Sequence, residues 1–220
     1  MDYSPFFVSI RVAIIATIVT FFLGLAAANF VYKLKKGKGV FDAIFTLPMI
    51  LPPTVVGFFL LLIFGRTGLI GGFLNTLGIQ VVFTWYGAVV ASTVVAFPLM
   101  YRTTRGALEQ VDPNIIHAAE TLGFSKIKIF WRIKVPMAKS GILAGTVLAF
   151  ARALGEFGAT IMLAGNIPGR TQTMAIAVFS AVSANNRDLA FAWVLILSAM
   201  SFAVIMLMNI SAKNKKRRQK

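Results

Sequence analysis

Val12–Tyr32 reads VAIIATIVTFFLGLAAANFVY, 21 residues without a charged side chain. A helix of about 20 apolar residues spans the roughly 30 Å hydrocarbon core of a bilayer. The run is not alone: Ala43–Gly65 holds 23 uncharged residues and Leu189–Ala212 holds 24. A soluble domain breaks such runs with polar residues at helical or strand spacing. Here 58% of the 220 residues are hydrophobic and 13% are charged, against roughly 25% charged in soluble domains. The chain therefore reads as an all-α integral membrane protein. Five spans are expected, at about 8–31, 42–64, 81–103, 139–163 and 189–211.

The basic residues orient those spans. Of 22 Lys and Arg, four follow span one, seven lie between or beside spans three and four, and six sit in the tail. These 17 fall on one side, which the positive-inside rule assigns to the cytoplasm, with the N-terminus outside. Arg66, Arg170 and Arg187 fall on the other side, and Arg11 and Arg152 fall within spans. The expected location is thus the cytoplasmic membrane, multi-pass, with residues 1–212 embedded and 213–220 forming a cytoplasmic tail that meets anionic lipid. The net charge of +15 does not point to nucleic acid, because it is split among three segments tied to membrane ends. Span one is read as a retained helix. Its apolar stretch exceeds the 7–15 residues of a signal-peptide core, and its positive cluster follows it. Trp85 and Tyr86 at one face, with Tyr32 and Tyr101 at the other, match the aromatic belts of membrane interfaces.

Between spans, the glycine-rich stretch Gly65–Gln80 is expected to be a loop with one short interfacial helix. Asp112-Pro113 reads as a helix start, with Asp as cap and Pro in the first turn, and Gly123 as its stop. A second short helix carries Ile127, Phe130 and Trp131 and is expected to end before Pro136. Its apolar residues lie outside the spans and need a partner surface. Met174–Val182 is apolar but too short to cross, so it reads as a re-entrant or tilted half-helix.

Few residues carry chemistry. There is no cysteine and one histidine, His117, so thiolate chemistry and His/Cys metal sites are excluded. No phosphate-binding G-x-x-x-x-G-K-[ST] occurs, so ATP and Mg would belong to another chain and this one is not read as an enzyme. Span two carries Pro48, Pro52 and Pro53; each removes a helical hydrogen bond. A kink lining a translocation path and a packing kink both fit them. Span four carries Arg152 and Glu156, four apart on one helical face. Charges at membrane depth usually mark pathways or gates, and a bracing ion pair is the alternative. With Thr54, Ser92, Thr93 and Thr160 these residues form the candidate path or gate. Gly141, Gly145, Gly155 and Gly158 offer small faces for close helix contact.

The segment His117-Ala118-Ala119-Glu120-Thr121-Leu122-Gly123, followed after nine residues by Ile133-Lys134-Val135-Pro136, resembles the signature loop of ABC-importer permeases. That loop reads E-A-A, three residues, G, nine residues, I-x-L-P. His117 replaces its Glu and Val135 its Leu. The resemblance implies a type I ABC importer permease fold, in which His117, Ala118, Ala119, Glu120, Gly123, Ile133 and Pro136 form the coupling segment that docks on an ATPase subunit. It also implies two permease copies, two ATPase subunits and an extracytoplasmic oxyanion-binding protein. Leu47–Gly57, Ala153–Thr160 and Gly165–Thr173 are similar to molybdate permeases, and sulfate permeases share much of that pattern. The expected function is molybdate import, with sulfate or tungstate import as the alternative and a secondary transporter as the rival class.

Overall fold

The computed structural model describes the backbone of residues 2–217 and the side chains of residues 2–206; the side chains of the basic tail at 213–220 lie outside the described residues. Among the described residues every regular element is helical. Helix α1 spans Ser4–Lys33, about 45 Å at 1.5 Å per residue. Helices α2 (Lys38–Ile50) and α3 (Pro53–Phe64) follow, then the short α4 (Leu69–Thr76) in the glycine-rich stretch. Helix α5 (Trp85–Glu109) is the centre of the bundle, packed against α1, α2, α3, α9 and α10. Helices α6 (Pro113–Thr121) and α7 (Lys126–Ile129), a π-helical turn (Phe130–Lys134) and α8 (Val135–Met137) form the segment between spans. Helices α9 (Lys139–Leu154), α10 (Gly158–Ala164), α11 (Met174–Ser183) and α12 (Arg187–Arg217) complete the chain.

By length and composition, α1 and residues 187–206 of α12 can each cross a membrane, and up to four crossings result if each bent helix pair counts as one. Helix α5 has the length but carries more polar residues. Its position explains this: Met100, Tyr101, Ala96 and Ala88 are fully buried among neighbouring helices. A helix surrounded by protein does not need a lipid-compatible surface all round.

Small residues set the packing. A Cβ on Gly24 of α1 would fall 2.6 Å from Met100 of α5, and one on Gly141 of α9 would fall 2.4 Å from Ala107. Gly145 likewise sits against Met100 and Thr103. Without a hydrophobic drive between helices in lipid, such close backbone approach maximises dispersion contacts.

Four expectations need correction. Span two is not one kinked helix: α2 and α3 meet at 110°. Leu51 and Pro52 are extended, with ψ of 143° and 135°, because each precedes a proline and the α region is closed to it. Pro48, by contrast, sits inside α2 without ending it. Span four is interrupted at Gly155–Phe157, between α9 and α10. The second short helix of the intervening segment does not end before Pro136; it runs to Met137 and then turns by 74° into α9. Pro136 would clash with the carbonyl four residues back in a regular helix, and the π-helical turn immediately before it relieves that geometry. Finally, Tyr101 does not present its ring at the surface, as a belt residue would. It is fully buried, and its hydroxyl donates to Asp42 of α2.

Candidate functional site

Two regions gather the residues singled out by sequence. The first is the segment between spans. The Asp112 carboxylate accepts from the Asn114 N–H at 2.9 Å and caps α6. At the other end the Phe124 N–H reaches the Ala119 carbonyl and the Gly123 N–H reaches Glu120, both at 3.0 Å. Gly123 adopts φ +75°. This is a Schellman stop, which needs the left-handed residue that glycine supplies.

Inside the segment, Val111, Ile116, Ala119 and Ile129 form a small core with Tyr32, Phe124 and Ile133. That core fastens the segment to the end of α1. Ala119 therefore points inward and Ile133 is half-buried, while His117, Ala118, Glu120, Gly123 and Pro136 face outward. His117 Nδ1 lies 3.4 Å from a Glu120 oxygen. The outer side also presents Leu122 (74% exposed), Ile127 (74%) and Trp131 (55%). Ile127 and Trp131 line one cavity with Phe22 and Leu25 of α1, and exposed apolar side chains of this size, flanked by Lys126, Lys128 and Arg132, mark an interaction surface. Lys134 is buried, with its ammonium 4.1 Å from the Tyr32 ring centroid. Burial, and secondly the charge of Lys33, pull its amine below the usual lysine range, against a smaller opposing effect of Glu120.

The second region is the pair of helix breaks. Gly57 and Gly158 bring α3 and α10 into backbone contact. A Cβ on Gly57 would lie 2.8 Å from the Ala159 Cα, and one on Gly158 would lie 3.0 Å from Pro53 and 3.2 Å from the Thr54 nitrogen. The two broken spans thus touch at their breaks. Glu156 sits in the second break, 1% exposed. One of its oxygens accepts from the Ala159 N–H at 2.7 Å, and the other lies 2.6 Å from Arg152 Nη1. That approach is off the hydrogen-bond axis, so the second oxygen is buried without an aligned donor. Glu156 therefore caps α10 as well as pairing with Arg152, which the expectation of one shared helical face did not contain.

The remaining candidates divide by exposure. Pro52 and Thr54 are exposed, and Pro48, Pro53 and Arg152 are partly so. Ser92, Thr93 and Thr160 are enclosed between helices, and their hydroxyls lack partners among the described residues. Helix α9 runs antiparallel to α5, as Gly141 and Gly145 facing Ala107 and Met100 require. At equal rise that register carries Arg152, near the end of α9, close to the level of Ser92 and Thr93.

Sequence reading missed one cluster. Arg105 of α5 pairs with Asp42 of α2 and, at 2.9 Å, with Glu109; Tyr101 joins through Asp42. It ties α2 to the end of α5 that leads into α6. The i,i+4 spacing of Arg105 and Glu109 was a visible signal, and Asp42 was the lone acid beside a basic stretch.

The chain is similar to known proteins over most of its length. Residues 20–219 match the family model described as binding-protein-dependent transport system inner membrane component. A putative molybdenum transport system permease protein, YvgM, of Bacillus subtilis is 45% identical over 205 residues, 92% of this chain and 90% of that protein. The molybdenum transport system permease protein ModB of Escherichia coli is 42% identical over 82% of this chain and 80% of its own length. The sulfate transport system permease protein CysW of Synechococcus elongatus is 35% identical over 84% and 65%. The fold resembles that in a crystal structure of a bacterial alginate ABC transporter in complex with an alginate pentasaccharide-bound periplasmic protein. The TM-score is 0.72 at 15% identity, covering 94% of this chain and 76% of that one. The chain belongs to the family of binding-protein-dependent transport system inner membrane components.

Proposed function

We propose that this chain is the membrane subunit of an ATP-driven importer for molybdate, working as a pair of copies with two separate ATPase subunits and an extracytoplasmic binding protein. The observation that carries the reading is the exposure of three large apolar side chains, Leu122, Ile127 and Trp131, which this reading takes together as a docking ridge, on a segment fixed by a capped helix and its own small core. A ridge of that kind fits a groove on a partner and can pass a rigid-body push into α9. ATP and Mg sit on the partner in this reading, since this chain has no phosphate-binding loop. The two relatives named for molybdenum transport support molybdate over sulfate, which the CysW match keeps as the second reading. A secondary transporter would have no use for the ridge.

In this reading five crossings, one of them α5, place the N-terminus outside and the basic tail inside. Exposed apolar residues such as Phe22, Leu62 and Phe202 then face lipid. External power is required: a dianion entering a negative interior works against about 4.6 kcal/mol per 100 mV. The contacting breaks around Glu156, Thr54 and Pro52–Pro53 are the assigned gate, because two interrupted helices in backbone contact can separate without unfolding.

Co-purification tests the docking half. A tagged wild-type chain expressed with its ATPase should retain that subunit through detergent extraction, and Ile127→Asp with Trp131→Asp should release it while keeping the chain folded. Retention in the double variant would refute the docking ridge.

A further inference from the structure

Arg11 and Arg170 are 159 positions apart in the chain, yet they line one cavity of about 490 Å³ at the end of the bundle opposite the basic segments. The cavity also takes Gln80, Thr84, Trp85 and Thr171, and among the described residues no carboxylate lines it. The Arg11 guanidinium lies 3.8 Å from the Trp85 ring centroid. This cation–π contact over the indole face occupies none of the guanidinium N–H donors. Neither arginine has a carboxylate within ion-pair distance among the described residues.

The walls are built rather than loose. Thr171 is 1% exposed; its hydroxyl accepts from the Ile167 N–H at 3.0 Å and reaches the Gly165 carbonyl at 3.4 Å. Gln172 donates to Asn166 at 2.8 Å, and Asn166 to Ser180 at 2.6 Å. Gly169, with φ +74°, turns the chain just before Arg170. On the facing side, Phe83 adopts φ +58° and its N–H bonds to the Leu163 carbonyl at 3.0 Å. This ties the 80–86 stretch to α10. Arg170 is therefore presented by a braced loop, and Arg11 by a helix and the Trp85 ring.

We infer that Arg11 and Arg170 form a site for a tetrahedral oxyanion, which enters as a free dianion or as the phosphate of a lipid headgroup. Two guanidinium forks suit the oxygens of a tetrahedral oxyanion, and two unneutralised positive charges balance a free dianion and exceed the single charge of a phosphodiester headgroup. The cavity is much larger than one such ion. The anion is thus held with part of its water and exchanges readily, which suits a collecting site and not a selective one. A free dianion gathered there gains local concentration at the mouth of the protein.

The test uses the full chain in nanodiscs, at equilibrium and without nucleotide or partners. Its failure would therefore leave the import reading standing, and failure of import would leave the site standing. In phosphatidylcholine discs, molybdate and then sulfate are titrated while fluorescence is followed in a background where Trp131 and Trp193 are replaced by Phe, leaving Trp85 as the sole indole. Saturable binding, weakened about ten- to hundredfold in Arg11→Gln and in Arg170→Gln and unchanged in Arg66→Gln, supports a free oxyanion. In mixed discs, phosphatidylglycerol retained by wild type and Arg66→Gln and lost from the other two variants supports the headgroup. Equal behaviour of all three variants, or no binding in either arm, overturns the site. Arg170→Gln lies on an exposed loop residue and keeps the test decisive if Arg11→Gln fails to fold.

Discussion

Replacing Arg152 with Gln would leave the Glu156 carboxylate buried with a single aligned donor, the Ala159 N–H. Glu156 is 1% exposed, while the Arg152 side chain is 31% exposed. The two partners are therefore not equivalent. Removing one member of a buried pair costs about 3–5 kcal/mol when the other is left uncompensated. Arg152→Gln strands the better buried charge and should fall in that range. Glu156→Gln strands the arginine, which water already reaches, and a glutamine oxygen can still accept from Ala159. Its cost should be nearer 1–2 kcal/mol, about that of a weakened charged hydrogen bond. The double variant removes both charges and should be more stable than Arg152→Gln alone, giving a coupling of about 1–3 kcal/mol. Equilibrium unfolding in lipid bicelles, run on all four proteins, gives the cycle. Additive effects, or Glu156→Gln being the more damaging single change, would refute the account of Glu156 as a buried cap and ion partner.

Gly57→Val would drive side-chain atoms into the Ala159 backbone, where a Cβ alone already falls at 2.8 Å; it should lower stability by about 1–3 kcal/mol in the same unfolding assay, whereas Gly106→Ala, inside α5 with open space around it, should raise it by about 0.5–1 kcal/mol. Gly123→Val meets no neighbour but must hold φ +75°, a strain of about 1–3 kcal/mol. ATPase activity measured beside uptake should then show hydrolysis continuing while transport fails. Lys134 has a lowered folded pKa, so the unfolded chain binds its proton more tightly, and stability should rise with pH in the window between that lowered value and 10.5. Lys134→Met should be flat across that window; melting temperatures of the two proteins between pH 8 and pH 10.5 read the difference.

Much of the fold was legible because it rests on local rules. Val12–Tyr32 announced α1 by length and polarity alone, and Asp112, Pro113 and Gly123 placed both ends of α6 through backbone chemistry. Pro52–Pro53 announced a disruption, but its 110° angle depends on where α3 packs, which Gly57 settles against Ala159. The second break carried a weaker signal. Gly155 and Gly158 flank Glu156, yet spacing alone made Arg152 and Glu156 look like one helical face. Only the N–H of Ala159 reveals the glutamate turning to cap the next helix. The Asp42–Tyr101–Arg105 cluster and the Arg11–Arg170 cavity were hidden for a simpler reason: they join residues remote in the chain, and their existence depends on tertiary packing.

Uptake of labelled molybdate into proteoliposomes holding this chain with its ATPase subunits, with binding protein and an ATP-regenerating system on the appropriate sides, tests the central claim most directly. Accumulation against a gradient that requires ATP and the binding protein, and is abolished by the Ile127→Asp, Trp131→Asp pair, is the expected result. Accumulation that persists without ATP, or that survives loss of the docking ridge, would contradict it.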